Sequence, residues 1–229
     1  MLDADREILV DDIFSSLQGE SSSTGYPTTF VRLYGCNMHC SYCDQPQNKE
    51  NAKRMTIHEV VEKVDEFGLS RVCVTGGEPV IQPNWKELVN CLIFTHDVSV
   101  ETNGCCPLPS HWKYPFRPRF IVDVKSPSSK MEKYNIYSNL LRLTHKDEIK
   151  FVLADEVDLE YALHVIDKLK EDYPRLGILP PQIVFSPVIY DYFKEEDKKW
   201  AQKLADFIVE HKMDYVRLQV QFHKVIGVK

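Results

Sequence analysis

The sequence predicts an α/β fold of the β/α barrel kind, open or closed, on a mostly parallel sheet. Three observations carry that expectation. Strand-like apolar runs alternate with helical patterns, polar and glycine-containing motifs recur where the strands end, and no linker, low-complexity segment or internal repeat breaks the alternation. Ligands of such folds bind at the C-terminal edge of the strands. With 229 residues and 43% hydrophobic content, the chain can bury its own core and reads as one domain, 1–229.

The elements follow in order. Ile8 to Ser15 and Thr28 to Tyr34 are rich in β-formers, and the polar stretch Ser21 to Gly25 joins them. A cysteine loop follows the second strand directly. Thr56-Ile57-His58-Glu59 is a capping box; Ile57, Val60, Val61, Val64 and Phe67 then recur at helical spacing until Gly68 stops the helix. Arg71 to Thr75 is a buried strand, and after Gly76-Gly77-Glu78-Pro79 a helix starts near Asn84. Further strands are Val98 to Glu101, Phe120 to Lys125, Glu148 to Leu153, Gln182 to Phe185 and Tyr215 to Val220. Helices from Asp158 to Leu169 and from Lys194 to His211 separate the last three, and strand interiors read as apolar.

Composition narrows the function. The net charge of −6 opposes a nucleic-acid binder, which shows a basic face. No apolar run approaches the roughly 20 residues that span a bilayer, and the first residues lack the pattern of a signal peptide. A cytoplasmic chain is therefore expected, its seven cysteines being thiols or metal ligands rather than disulfides. Cys73 and Cys91 fall on apolar faces; Cys105 and Cys106 receive no role.

Cys36, Cys40 and Cys43 form a C-x3-C-x2-C run ending in Tyr42-Cys43-Asp44. Three thiolates can hold one metal assembly but leave it a ligand short of the closed set that structural zinc or an ordinary four-iron cluster takes. An iron left open is what S-adenosylmethionine (SAM) needs to bind through its amino and carboxylate groups. Zinc is the competing reading, with His39 as a fourth ligand, although its neighbour Cys40 leaves the backbone in another direction.

Other motifs admit two readings each. Gly76-Gly77-Glu78-Pro79 is a turn, or a close backbone approach with Glu78 holding an ammonium group. Glu101 and Asn103 suit ribose hydroxyls, or form an Asn-Gly turn. Lys125 suits a carboxylate, or snorkels to solvent. Gln18 and an ionised Glu20 suit an amino-pyrimidine edge. Arg32 points opposite to Val31 and Leu33; its fork matches a carboxylate, unless Asp11, Asp12 or Glu20 takes it internally. His223 follows the last strand and is structural or catalytic.

The cysteine run with Tyr42, followed by Gly-Gly-Glu-Pro about thirty residues later, resembles the radical SAM superfamily. Within it, ordered segments resemble 7-carboxy-7-deazaguanine synthases of queuosine and 7-deazapurine biosynthesis, a tRNA modification pathway. They include Ser16 to Glu20, Phe30 to Leu33, Gly35 to Asn37, Thr75 to Pro79, Glu101 to Gly104, Asp123 to Ser129, Phe185 to Val188 and Leu218 to Lys224. The resemblance implies a partial, open barrel with a trimmed core, a homodimer, and flavodoxin or ferredoxin as electron donor. It implies a [4Fe-4S] cluster on the three cysteines and a lyase reaction that turns 6-carboxy-5,6,7,8-tetrahydropterin into 7-carboxy-7-deazaguanine with loss of ammonia. SAM would be cleaved to a 5′-deoxyadenosyl radical and regenerated.

Carried over residue by residue, Tyr42, Asp44, Gly76, Gly77, Glu78, Pro79, Glu101, Asn103, Asp123, Lys125, Ser126 and Ser186 fall on the SAM side. Leu17, Gln18, Gly19, Glu20, Arg32, Thr75 and His223 fall on the substrate side, with Glu20, Arg32 and His223 acting on it. Two departures stand out. The family commonly has Thr or Ser after Cys-Asp, a hydroxyl that helps bind Mg²⁺; here Gln45 offers an amide oxygen on a longer side chain. The ending His223 to Lys229 lacks the usual aromatic-Gly pair. A glycyl-radical activase, which shares the cysteine spacing, and a zinc module without enzymatic activity are the alternatives.

Overall fold

The computed structural model describes residues 4–45, 52–109, 112 and 116–229. Nine strands form one sheet in the order β3-β1-β2-β4-β5-β6-β7-β8-β9. They are β1 Glu7–Leu17, β2 Pro27–Leu33, β3 Lys53–Thr56, β4 Arg71–Gly76, β5 Asp97–Thr102, β6 Arg119–Val124, β7 Glu148–Leu153, β8 Gln182–Pro187 and β9 Val216–Leu218. From β2 to β9 every neighbouring pair is parallel, while β1 runs antiparallel to both β2 and β3. β3 was not anticipated. Its residues, Lys-Arg-Met-Thr, carry no β pattern, and it exists because its backbone pairs with β1.

Helices α1 Ile57–Glu66, α2 Trp85–Leu92, α3 Tyr137–Leu140, α4 Glu156–Leu176, α5 Glu195–Glu210 and α6 Phe222–Ile226 complete the chain. The capping box of α1 forms, and Ile57, Val60 and Val64 are fully buried. Each such side chain contributes about 1.5–3 kcal/mol. Phe67 lies outside that stripe and is exposed. α4 is longer than the apolar pattern predicts, because the Asp155 side chain caps it at one end and left-handed Gly177 closes it at the other. The β6–β7 connection holds two 3-10 turns and the single turn of α3, and among the described residues no helix lies between β5 and β6.

Alternation along the strands separates two environments. Val31, Leu33, Val72, Val74, Val100, Val122, Ile149, Phe151 and Phe185 are buried outward in the core beneath the helices. The opposite row carries Arg32, Thr75, Glu101, Asp123 and Lys150 and faces the barrel interior. The strands are therefore not apolar throughout; their inner face is charged. The polar β1–β2 connection is only partly solvated. Ser21 and Ser23 are buried, Ser22 N donates to Glu148 at the start of β7, and Gln219 exchanges hydrogen bonds with Ser21.

Candidate active site

A cavity of about 960 Å³ occupies the barrel interior. The three cysteines of the β2–β4 connection line it, with Cys36 and Cys40 half-buried and Cys43 exposed. The loop that carries them is pinned from β4: Gly77 N donates to Leu33 O at 3.1 Å and Glu78 N to Gly35 O at 2.8 Å. Glycine is required at 77, since a Cβ there would stand 2.2 Å from Gly35 O and 2.9 Å from the Cys36 Cβ. Burial pushes the Cys36 and Cys40 thiols above their ordinary values.

The donor set fits a cluster with one open iron. Three cysteines face one space, and a cuboidal cluster spaces its thiolates more widely than a single ion does. Among the described residues no three His, Cys, Asp or Glu side chains gather tightly enough for one ion.

Tyr42, Gly76, Gly77, Glu101, Asn103, Asp123, Lys125 and Ser186 also line the cavity. Glu78, Pro79 and Ser126 are buried but are not among the lining residues. Both Glu78 oxygens are occupied: one accepts from Val80 N at 3.0 Å and Thr102 Oγ1 at 2.6 Å, the other from Asn103 N at 2.6 Å. Glu78 thus fixes the ends of β4 and β5 to each other, and the surface it presents to a ligand is backbone. Asn103 is similarly engaged, with Nδ2 donating to Asn37 of the cysteine loop and Oδ1 accepting from Cys105 N.

Leu17, Gln18, Gly19, Glu20, Arg32, Thr75 and His223 line the same cavity. His223 lies on α6 and packs on Gly19 so closely that a Cβ there would fall 1.7 Å from its Nδ1. Glu20 is held by Lys150 Nζ at 2.7 Å and Gln221 Nε2 at 2.7 Å. Burial raises the Glu20 pKa, but Lys150 and these hydrogen bonds outweigh it, and the carboxylate sits below its ordinary value. Glu101, which accepts from Thr75 Oγ1 at 2.9 Å, is raised by burial and by the charge of Glu20. Burial opposes charge on Lys125 and Lys150 as well, yet Asp123 beside the first and Glu20 beside the second raise both.

None of the internal partners foreseen for Arg32 takes it. Asp12 is bound by Lys229 and Glu20 by Lys150, and among the described residues Arg32 makes no ion pair; its guanidinium lies 5.2 Å from the Phe14 ring centre. Sequence reasoning missed Lys150, Gln221, Lys224 and Phe14. Lys150, between Ile149 and Phe151, was open to the alternation argument already used for Arg32.

The Radical SAM superfamily model matches residues 30–179. The 7-carboxy-7-deazaguanine synthase of Clostridium acetobutylicum is 34% identical over 218 residues, covering 93% of each chain. That of Methanospirillum hungatei is 36% identical over 222 residues, covering 95% of this chain and 85% of the relative. The chain belongs to the radical SAM superfamily and, within it, to the 7-carboxy-7-deazaguanine synthase family. The crystal structure of QueE from Escherichia coli shares the fold, with TM-score 0.71 and 19% identity over 95% of each chain. A radical SAM enzyme of this family uses a [4Fe-4S] cluster and SAM. The zinc module and the activase are thereby displaced.

Proposed function

We propose that this chain converts 6-carboxy-5,6,7,8-tetrahydropterin to 7-carboxy-7-deazaguanine, releasing ammonia and using SAM catalytically, as the names of its relatives suggest. One observation carries the reading at the level of residues. A single cavity holds the three thiols together with a guanidinium that makes no ion pair among the described residues and a Gln-Gly-Glu loop with an ionised acceptor.

When bound, the cluster and SAM supply the hydrogen-abstracting radical chemistry. Cys36, Cys40 and Cys43 hold the cluster, and Tyr42 with the backbone of Gly76 and Gly77 borders SAM. Glu101, Asn103, Asp123, Lys125 and Ser186 complete that side of the pocket, with Glu78, Pro79 and Ser126 supporting it from behind. Arg32 binds the substrate carboxylate by its two-point fork. Glu20, fixed as an acceptor by Lys150, and Gln18 take the N–H groups of the amino-pyrimidine edge, while Leu17, Gly19, Thr75 and His223 shape the surrounding wall. What the protein contributes is orientation and exclusion of water. A flavodoxin or ferredoxin donor, a homodimer and a cytoplasmic setting belong to the same proposal; no described helix is long and apolar enough to cross a membrane.

Reduced, reconstituted protein given SAM and the carboxylated tetrahydropterin should yield the deazapurine, and no conversion in the presence or absence of Mg²⁺ refutes the assignment. Arg32→Ala should lose about 2–5 kcal/mol of substrate binding, seen as a raised KM, and retain uncoupled SAM cleavage. Unchanged kinetics remove Arg32 from the pocket.

A further inference from the structure

The position that the family resemblance assigns to a magnesium ligand is Gln45, and its surroundings do not suit a divalent cation. Magnesium demands a near-octahedral shell of oxygens and is ordinarily anchored by carboxylates. Gln45 lines the cavity but offers a neutral amide. The neighbouring carboxylate, Asp44, is already engaged: its Oδ2 accepts from Lys224 Nζ at 2.6 Å and Gln221 Nε2 at 3.5 Å. Among the described residues no three acidic, His or Cys side chains converge on one point.

We propose that the Lys224 ammonium occupies the place of the divalent cation, so that this chain turns over without magnesium. The geometry gives Lys224 the necessary reach. It extends from α6 into the cavity wall beside Asp44, one residue from His223, and only part of its three-donor capacity is used by Asp44. An ammonium is a compact point charge that can neutralise a ligand anion without an ordered hydration shell. Gln221 ties this pair to the substrate side, since the same Nε2 that approaches Asp44 donates to Glu20. A divalent ion added here would meet an ammonium already in place, and like charges repel at such range.

The inference rests on the synthase reading, and its test separates the two. With the reconstituted holoenzyme and the carboxylated tetrahydropterin, kcat/KM in a chelator should lie within about twofold of its value in excess Mg²⁺, whereas a metal acting on the reacting charge is worth several kcal/mol, on the order of a hundredfold or more. Manganese provides a readout independent of turnover. At about 1 mM Mn²⁺, the holoenzyme with substrate should leave the six-line EPR signal of the free ion undiminished. Stoichiometric loss of that signal, or a Mg²⁺ stimulation of about tenfold or more, overturns the proposal. Lys224→Met should raise the pterin KM by about tenfold or more while Lys224→Arg restores most of it; a Met variant with unchanged kinetics shows a surface ion pair only and also overturns it. If the wild-type enzyme consumes no pterin in either medium, the synthase reading fails, and the manganese spectrum still decides whether a metal binds.

Discussion

Lys150→Met tests the charged interior most directly. Lys150 Nζ lies 2.7 Å from Glu20 and 3.9 Å from Asp123, and its side chain is 12% exposed. At an effective dielectric of about 20, the closer contact alone is worth about 6 kcal/mol of attraction, offset by the desolvation of both groups. Removing one member of a buried pair costs about 3–5 kcal/mol, because the remaining charge is left uncompensated. The variant has one escape, which is to protonate Glu20. From its ordinary value of 4.5 to pH 7, that costs about 3.4 kcal/mol, at 1.36 kcal/mol per unit. This caps the loss near the lower end of the range. For a chain of this size the melting temperature should fall by roughly 7–14 °C at pH 7.

The pH dependence carries the stronger test. In the wild-type protein the folded pKa of Glu20 is depressed, so its contribution is present above 4.5 and is lost only as pH falls through the lower folded value. In the variant the folded pKa is raised instead, and protonation becomes cheap as pH approaches the ordinary value. At pH 5 the escape costs only about 0.7 kcal/mol, so the two proteins should converge. Differential scanning calorimetry of the anaerobic holoenzymes at pH 7 and pH 5 reads both quantities. A drop below about 2 °C at pH 7, or an equal drop at both pH values, refutes the assignment of an ionised Glu20 held by Lys150.

Gly77→Ala forces a Cβ to within 2.2 Å of Gly35 O. Because the cysteine loop must shift to admit it, the variant should bind clearly less iron and sulfide per chain on reconstitution while keeping its far-UV circular dichroism; full loading contradicts the packing argument. His223 is lowered from 6.5 chiefly by burial, against the pull of Glu20, so its neutral form is favoured on folding. That contribution is present above 6.5 and is lost as pH falls through the lower folded value; denaturant midpoints of His223→Gln should therefore decline less between pH 6.5 and 5 than those of the wild type.

Whatever depends on neighbours in sequence could be read in advance; whatever depends on neighbours in space could not. The cysteine run, the capping box and the glycine pair are local patterns, and each stands where the sequence places it. Glu78 shows the limit. An acidic residue in a glycine turn invites assignment to a ligand, but its partners Thr102 and Asn103 lie one strand away, and they turn it into a brace. β3 and α6 escaped notice for a different reason: four and five residues are too few to show a period. Because β1 is antiparallel, the Gln-Gly-Glu loop does not leave the same edge as the other motifs. It is anchored instead to the first residues of β6 and β7, where Arg119 reaches Ser22 and Ser23 and Glu148 accepts from Ser22 N.

The charge balance of the interior explains why an anionic substrate suits this cavity. Asp44 pairs with Lys224 and Lys229 with Asp12, and six further acidic or basic side chains line the cavity besides the histidines: Glu20, Glu101 and Asp123 against Arg32, Lys125 and Lys150. Two ion pairs consume four of them, Lys150 with Glu20 and Lys125 with Asp123, at 2.7 and 3.0 Å. The remaining two do not pair with each other. Glu101 turns to Gln18 and Thr75, and burial raises its pKa above the ordinary value, whereas the Arg32 guanidinium lies against the Phe14 ring. The cation left without an ion-pair partner among the described residues is therefore a fork that matches a carboxylate. On the proposed assignment of Arg32, a neutral pterin would leave that guanidinium uncompensated inside the barrel, and a carboxylated one would neutralise it.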